Sequence, residues 1–496
     1  MGRTNGMDKK TGFGLLILSI SLASFMASLD GTIVNIALPT ISTSFGVSTS
    51  TVSWVATAYL LVMAGCVLIF GKVADVIGFK RVFLSGFLIF TLGSFSCGLL
   101  PDMLNSFVTL VGSRIFQAVG GAMIASVAPA MVTAYIPMSQ KGKAMGYIMT
   151  AAALGMAIGP TIGGLLTQYI SWHWIFFINV PIGIFAILLG AKEIPSSGTA
   201  AKLSGFDRSG AALIFVGLAF LLFGVSEGQE LGWTSPVILL TLALAVISIG
   251  YFIWHELHAS DPLLELRLFK NKNFFLLNLV MVLVFFSFSG INYLLPFYLE
   301  YVLGFSTAAA GLILTSLSFA MMASGILAGL AFTRFGGRAL CVAAGIMLTV
   351  GYYLMTQLRL DSTVGFVVMA LVIIGFGLGL MVTPASSLIM NAVAKKYSGM
   401  VSSLTSLERF APMTIGIAFF NLVFIQGIIA IAAYHGVTSE APKNIQMHVL
   451  SAGFDLAYMA SFILGIVIFI LALFIRQEIH PDYLEEQDDE PVIGIL

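Results

Sequence analysis

The chain has 496 residues, of which 58% are hydrophobic and 9% charged, with 23 basic side chains balanced by 23 acidic ones. A soluble domain carries about 25% charged residues, so water is not the main solvent of this chain. Its formal net charge of zero also excludes nucleic-acid binding, which needs a basic stripe against phosphates. The three cysteines, Cys66, Cys97 and Cys341, each lie inside an apolar run, where a thiol packs as a small hydrophobe. They imply neither a disulfide framework nor a metal site.

A membrane-spanning helix needs about 20 mostly apolar residues. By that criterion the expected spans, in chain order, are 13–37, 50–70, 82–100, 105–135, 144–167, 174–192, 209–226, 236–254, 274–298, 306–332, 339–358, 363–390, 398–430 and 453–475. The first begins after Lys9-Lys10 as a secretory leader would, but its apolar run continues past Asp30 to Leu38, long enough to cross a bilayer. With the N-terminus inside, all but four of the 23 bases fall on inner segments. The four are Arg359 and Lys443, which fall outside, and Arg114 and Arg409, which lie within spans. Bases accumulate in cytoplasmic loops, so both termini are expected in the cytoplasm of a multi-pass cell-membrane protein. The acidic tail from Glu478 to Glu490 has no base and reads as solvated chain.

An internal repeat appears at a shift of about 258 positions. Asn35-Ile-Ala-Leu38-Pro39 aligns with Asn292-Tyr-Leu-Leu295-Pro296, Gly46-Val-Ser48 with Gly304-Phe-Ser306, and Gly71, Gly78 and Lys80 with Gly329, Gly336 and Arg338. Repeated halves enclosing a mid-membrane site are the logic of secondary transporters. Six spans per half leave an inserted pair over, giving expected units of 1–192, 193–272 for the pair with its linkers, 273–476, and a tail of 477–496.

Between spans two and three lies Gly71-Lys-Val-Ala-Asp75-Val-Ile-Gly78-Phe-Lys80-Arg81. Gly71 is expected to allow close helix contact and Gly78 a tight turn, while Asp75 can bond bases or a helix N-terminus. This segment resembles the signature loop of the major facilitator superfamily, which implies a gating role for Gly71, Asp75, Gly78, Lys80 and Arg81. Span five carries Gly155, Gly159 and Gly163 on one face, followed by Gly164 and with Pro160 among them. Glycines so spaced let a neighbouring backbone approach, and the proline bends the helix. The pattern is similar to the motif that the superfamily's antiporters share, which implies export. Leu29-Asp30-Gly-Thr32-Ile-Val-Asn35, Trp172-His-Trp174-Ile-Phe-Phe-Ile-Asn179, Phe206-Asp207-Arg-Ser-Gly210 and Asp261-Pro262-Leu-Leu-Glu265 resemble the fourteen-spanner drug:proton antiporters. His173 and Ala118 depart from that family's usual Arg and Gly.

Ionisable residues inside a bilayer are costly unless paired or wet, so Asp30, Arg114, Glu408 and Arg409 are the main candidates. Asp30 is expected ~10 Å from the outer end of span one and Arg114 ~13 Å from that of span four, matched depths that allow a pair. Glu408 and Arg409 are neighbours whose side chains diverge by about 100°, so they are not expected to neutralise each other. Phe25, Met26 and Tyr59 are expected walls of a cavity that takes varied apolar shapes, because Met and aromatic side chains repack readily.

The stretch from Gly65 to Lys72 has the wrong glycine spacing for a phosphate loop, and Val73 stands where Ser or Thr is needed. With no cofactor expected, the energy must come from an ion gradient. The expectation is an all-α membrane protein that exchanges protons for small lipophilic, cationic drugs. A lipid or fatty-acid exporter of the same fold is the alternative. A nutrient symporter fits less well, as does a membrane enzyme, for which no nucleophile-base constellation is found.

Overall fold

In hydrocarbon a chain must satisfy its own backbone, which a helix does within each segment. The computed structural model describes residues 9–136, 138–195, 207–228, 231–259, 262–394, 397–436 and 442–478, and no strand occurs among them. Fourteen long helices follow in chain order. Those of the first half are α1 (Lys9–Ile33), α2 (Trp54–Ile77), α3 (Phe79–Met103), α4 (Phe107–Tyr135), α5 (Met138–Tyr169) and α6 (Asn179–Glu193). The inserted pair is α7 (Arg208–Glu227) and α8 (Pro236–His258), and α9 is Lys272–Phe297. Thr307–Met355 is one helical run broken at Gly336, whose φ of 76° is non-helical; its parts, 307–335 and 337–355, are α10 and α11. The chain ends with α12 (Val364–Asn391), α13 (Ser398–His435) and α14 (Lys443–Leu473).

The number and order of spans are as expected, but several helices outrun the apolar stretches that betrayed them. Beyond Ile33 the chain turns through Asn35–Ala37 and resumes as Leu38–Phe45, with Pro39 in the first turn of the new helix, where a missing N–H costs nothing. Similarly, α5 begins at Met138 rather than 144 and α14 at Lys443 rather than 453. Their first two turns carry Lys141, Lys143 and Gln446, residues that a hydropathy criterion rejects and a helix extending past the hydrocarbon accepts.

The repeat is visible in the backbone. Gly46 (φ 63°) and Gly304 (φ 69°) end the first helical segment of each half, and Gly78 (φ 93°) and Gly336 (φ 76°) make the turn after the second. Left-handed φ is strained for any residue with a Cβ. Ser48 and Ser306, two residues after the first glycine of each set, cap the next helix by accepting from Thr51 N and Ala309 N. The same turn chemistry is thus used at the same places in both halves.

Within the first half α1 packs on α4, α5 and α6, and α3 on α4 and α6; within the second, α9 packs on α13 and α14. The halves meet along α2 with α13 and α5 with α10. The inserted helix α7 lies against both α2 and α13, so it covers a seam between the halves. There Leu61 of α2, Leu218 and Leu222 of α7, and Ala411 and Ile415 of α13 form a small apolar cluster. Its partner α8 is outermost and turns Val237, Leu240, Val246 and Ile247 outward, as a lipid-facing helix does.

Candidate functional site

The charged centre is assembled from five helices. Asp30 of α1 is fully buried and Arg114 of α4 is 2% exposed, and they form an ion pair at 2.8 Å. Gln117, one turn along α4 from Arg114, donates from Nε2 to Asp30 Oδ1 at 2.9 Å; Asn179 of α6 donates to the same oxygen at 3.1 Å. Gln117 Nε2 also donates to Ser94 of α3 at 2.8 Å, while its Oε1 accepts from Arg114 Nη1 at 2.5 Å. The guanidinium is finished by Nε donating to Val55 O at 3.1 Å and by the Tyr59 ring of α2, 4.0 Å from its carbon. Each oxygen of Asp30 therefore faces a donor. A buried pair persists only if its remaining lone pairs and protons are satisfied, and this shell supplies that.

A narrow cavity between the halves is lined by Gly31, Asn35, Tyr59 and Arg114 on one side and by Asn292 and Met413 on the other. It is far smaller than the ~300–1,000 Å³ that drug-sized molecules need, so this arrangement of the halves encloses no room for one. Tyr59 lines it as expected. Phe25 and Met26 do not, and Met26 is 1% exposed in the apolar core.

Glu408 and Arg409 part as expected. Arg409 is one turn before cavity-lining Met413 and lies over the Phe410 ring, 5.7 Å from its centre. Glu408 shares the face of Ala411 and Ile415, the face turned to α7 and α2. It is 4% exposed, its Oε2 has no hydrogen-bond partner, and it forms no ion pair with a described residue.

The glycines of α5 mate with backbone, as their spacing indicated. A Cβ on Gly155 would collide with Phe25 O, one on Gly159 with the Thr32 hydroxyl, and one on Gly163 would stand 2.7 Å from Ile33 O. All three clamp α5 to the helix that carries Asp30. Gly164 faces the other half instead, where a Cβ would lie 2.6 Å from Thr307 O. Pro160 is within the same helix and its carbonyl meets Gly311 of α10.

In the loop after α2, Gly78 makes the expected turn, and Lys80 Nζ donates to Ala191 O and Ile194 O at 2.7 Å each, capping carbonyls that α6 leaves unpaired at its end. Arg81 is exposed. Gly71 departs from expectation: a Cβ there would meet nothing within 4 Å, so close helix contact is not its use in this arrangement. The Asp75 side chain, Phe206, Asp261 and the tail beyond 478 lie outside the described residues.

Sequence reading did not single out Gln117 or Asn179. The usable signal was a second polar side chain three residues after Arg114, hence on the same face. Replacing Gln117 with Leu removes one donor from Asp30 and one acceptor from Arg114, and the expected cost is about 1–3 kcal/mol. A lower thermal denaturation midpoint in detergent is the readout; an unchanged midpoint would mean that Gln117 is dispensable to the centre.

Two halves that meet around a narrow cavity, with a buried charged centre in the first of them, have the architecture of a membrane transporter. The model of the Major Facilitator Superfamily matches residues 20–417, and the chain belongs to that family of transporters. It is 34% identical over 418 residues to the "Riboflavin transporter RibZ" of Clostridioides difficile, covering 84% of this chain and 89% of that one. It is 32% identical over 438 residues to the "Multidrug resistance protein Stp" of Mycobacterium tuberculosis, covering 88% and 80%. A crystal structure of a D-xylose-proton symporter superposes with a TM-score of 0.65 at 13% identity, over 94% of this chain and 98% of that one, a likeness of fold alone.

Proposed function

We propose that this transporter exchanges protons for lipophilic cations and exports them by alternating access. The observation that carries the reading is the buried Asp30, held by Arg114, Gln117 and Asn179 beside the cavity between the halves. An intramembrane carboxylate is a functional site by default, and relatives named for multidrug resistance agree with drug export. Segments 1–192 and 273–476 rock as units about the site, with 193–272 covering their seam and both termini in the cytoplasm. Cargo enters from the cytoplasm or inner leaflet and displaces a proton from Asp30; a proton from outside displaces cargo. The end of α2, which holds Asp75, and the turn at Gly78 gate the change, so the segment expected as a loop between spans acts as a helix end.

A second reading has its own support, since one relative is named a riboflavin transporter: the cargo is then a planar vitamin stacked on Tyr59. Proteoliposomes with an internal pH dye separate the two. Export predicts proton movement on addition of a lipophilic cation and none with riboflavin; the reverse result overturns the drug reading.

A further inference from the structure

A second ionisable cluster lies at the base of the α7–α8 hairpin, away from the Asp30 centre. Asp207 caps α7, its Oδ1 accepting from Gly210 N and from His255 Nε2, both at 2.8 Å. Glu256, the next residue on α8, is 3% exposed, and its Oε2 accepts from Leu264 N at 2.9 Å. Those bonds leave Asp207 Oδ2 and Glu256 Oε1, both buried and neither with a donor. The two oxygens converge: a Cβ on Gly210 would collide with both of them. Ionised carboxylates only accept, and two that share a site cannot both keep their charge cheaply.

We propose that Asp207 and Glu256 bind one proton between them, Glu256 Oε1 donating it to Asp207 Oδ2, with His255 as the path to solvent. Of the two, Asp207 is the acceptor. Burial opposes its ionisation, but the bonds from Gly210 N–H and His255 outweigh burial and hold its carboxyl below the usual carboxylate range. His255 is 26% exposed and so reaches water while touching Asp207. The other described titratable groups nearby are engaged elsewhere: Glu265 pairs with Arg267 at 3.8 Å, and His258 bonds Trp254 O.

The site gives the inserted helices a task. Glu256 ties the hairpin base to the segment leading into α9 through Leu264 N, and the next residue, Glu265, donates its N–H to Met400 Sδ of α13 at 3.1 Å. Losing the proton leaves two like charges in contact and loosens that base. Since α7 also lies on α2 and α13, the proton fixes the hairpin to the seam that must move during transport.

The test uses the full-length protein in lipid nanodiscs, in a Glu300→Gln, Glu408→Gln, Asp455→Asn background that removes the other described acids with a buried, unpartnered oxygen. Infrared spectra at neutral pH should contain a protonated carboxyl C=O band that Glu256→Gln abolishes. Asp207→Asn should abolish it too, because an amide donor now faces an ionised Glu256. Glu256→Gln also mimics the protonated state, donating to Asp207 while still accepting from Leu264, so it keeps the fold. The folded pair holds a proton that the unfolded chain has already released, so the parent's thermal midpoint should fall as pH rises from the ordinary carboxylate range to neutral, and level off once the folded pair has lost its proton too. That of Glu256→Gln should not fall. A carboxyl band that survives both substitutions, or a midpoint that falls in Glu256→Gln as in the parent, overturns the proposal.

Discussion

Asp30→Asn is expected to abolish concentrative efflux of lipophilic cations and the proton release that accompanies cargo binding, while the protein stays folded. The amide keeps the shape and an acceptor oxygen for Arg114 but cannot exchange a proton. Arg114 would still have Val55 O at 3.1 Å, Gln117 Oε1 at 2.5 Å and the Tyr59 ring at 4.0 Å, so the cation is not stranded. Arg114→Ala is the poorer probe, because a buried carboxylate without its cation costs about 3–5 kcal/mol. The measurement is cargo-induced alkalinisation or acidification in proteoliposomes, together with binding of the same cargo. Cargo binding should lose its dependence on pH, and coupled flux should drop to background. Coupled efflux at the normal rate would remove Asp30 from its assigned role and move it to Glu408. Glu408→Gln should leave coupling intact and weaken only cargo with two positive charges. Its position on the α7 face, rather than in the cavity wall, already makes that effect the smaller one.

What the sequence revealed followed from local rules. Span count depends on apolar length, and the repeat on glycines and serines whose backbone demands are the same in both halves. Depth along each helix put Asp30 and Arg114 at one level, and the resemblance to the major facilitator superfamily, in which the first and fourth spans line one cavity, supplied the neighbourhood that depth alone does not. What it hid depends on contacts between distant segments. Asn179 reaches Asp30 across 149 positions of sequence, and nothing in its own neighbourhood announces this. Asp207 and His255 are 48 positions apart, and neither one's own stretch of sequence points to the other. Gly71 was misjudged for a related reason. A glycine's spacing shows that backbone could approach, whereas the approach itself depends on which helix lies opposite. The place of α7 on α2 and α13 required the packed structure, since α7 is apolar nearly all round and its sequence favours no face.

Gly311→Val is expected to slow transport by about 5–100-fold without destroying the cargo site. At this position α10 of one half meets α5 of the other with no side chain between them: a Cβ on Gly311 would strike Pro160 O, and one on Gly164 would lie 3.3 Å from Gly311 Cα. Thr161 and Thr315 join the same helices through a hydroxyl hydrogen bond of 2.6 Å. Tyr293 and Tyr301 of the second half bond to Thr49 O and Pro39 O of the first, so the halves are closed on this face. Because the obstacle is backbone, a larger residue cannot be absorbed by a rotamer change, and overpacking costs about 1–3 kcal/mol. That penalty applies only to the conformation in which the halves meet here, so it shifts the population toward the one in which they part. Each 1.4 kcal/mol is about tenfold in that equilibrium, which sets the expected range. Gly365→Val serves as control, since Gly365 is also near a helix start but a Cβ there meets nothing within 4 Å. A cysteine at cavity-lining Asn292 should be labelled faster in Gly311→Val than in the parent or the control. Equal labelling and equal flux in all three would show that the contact between α5 and α10 does not govern the opening of this face.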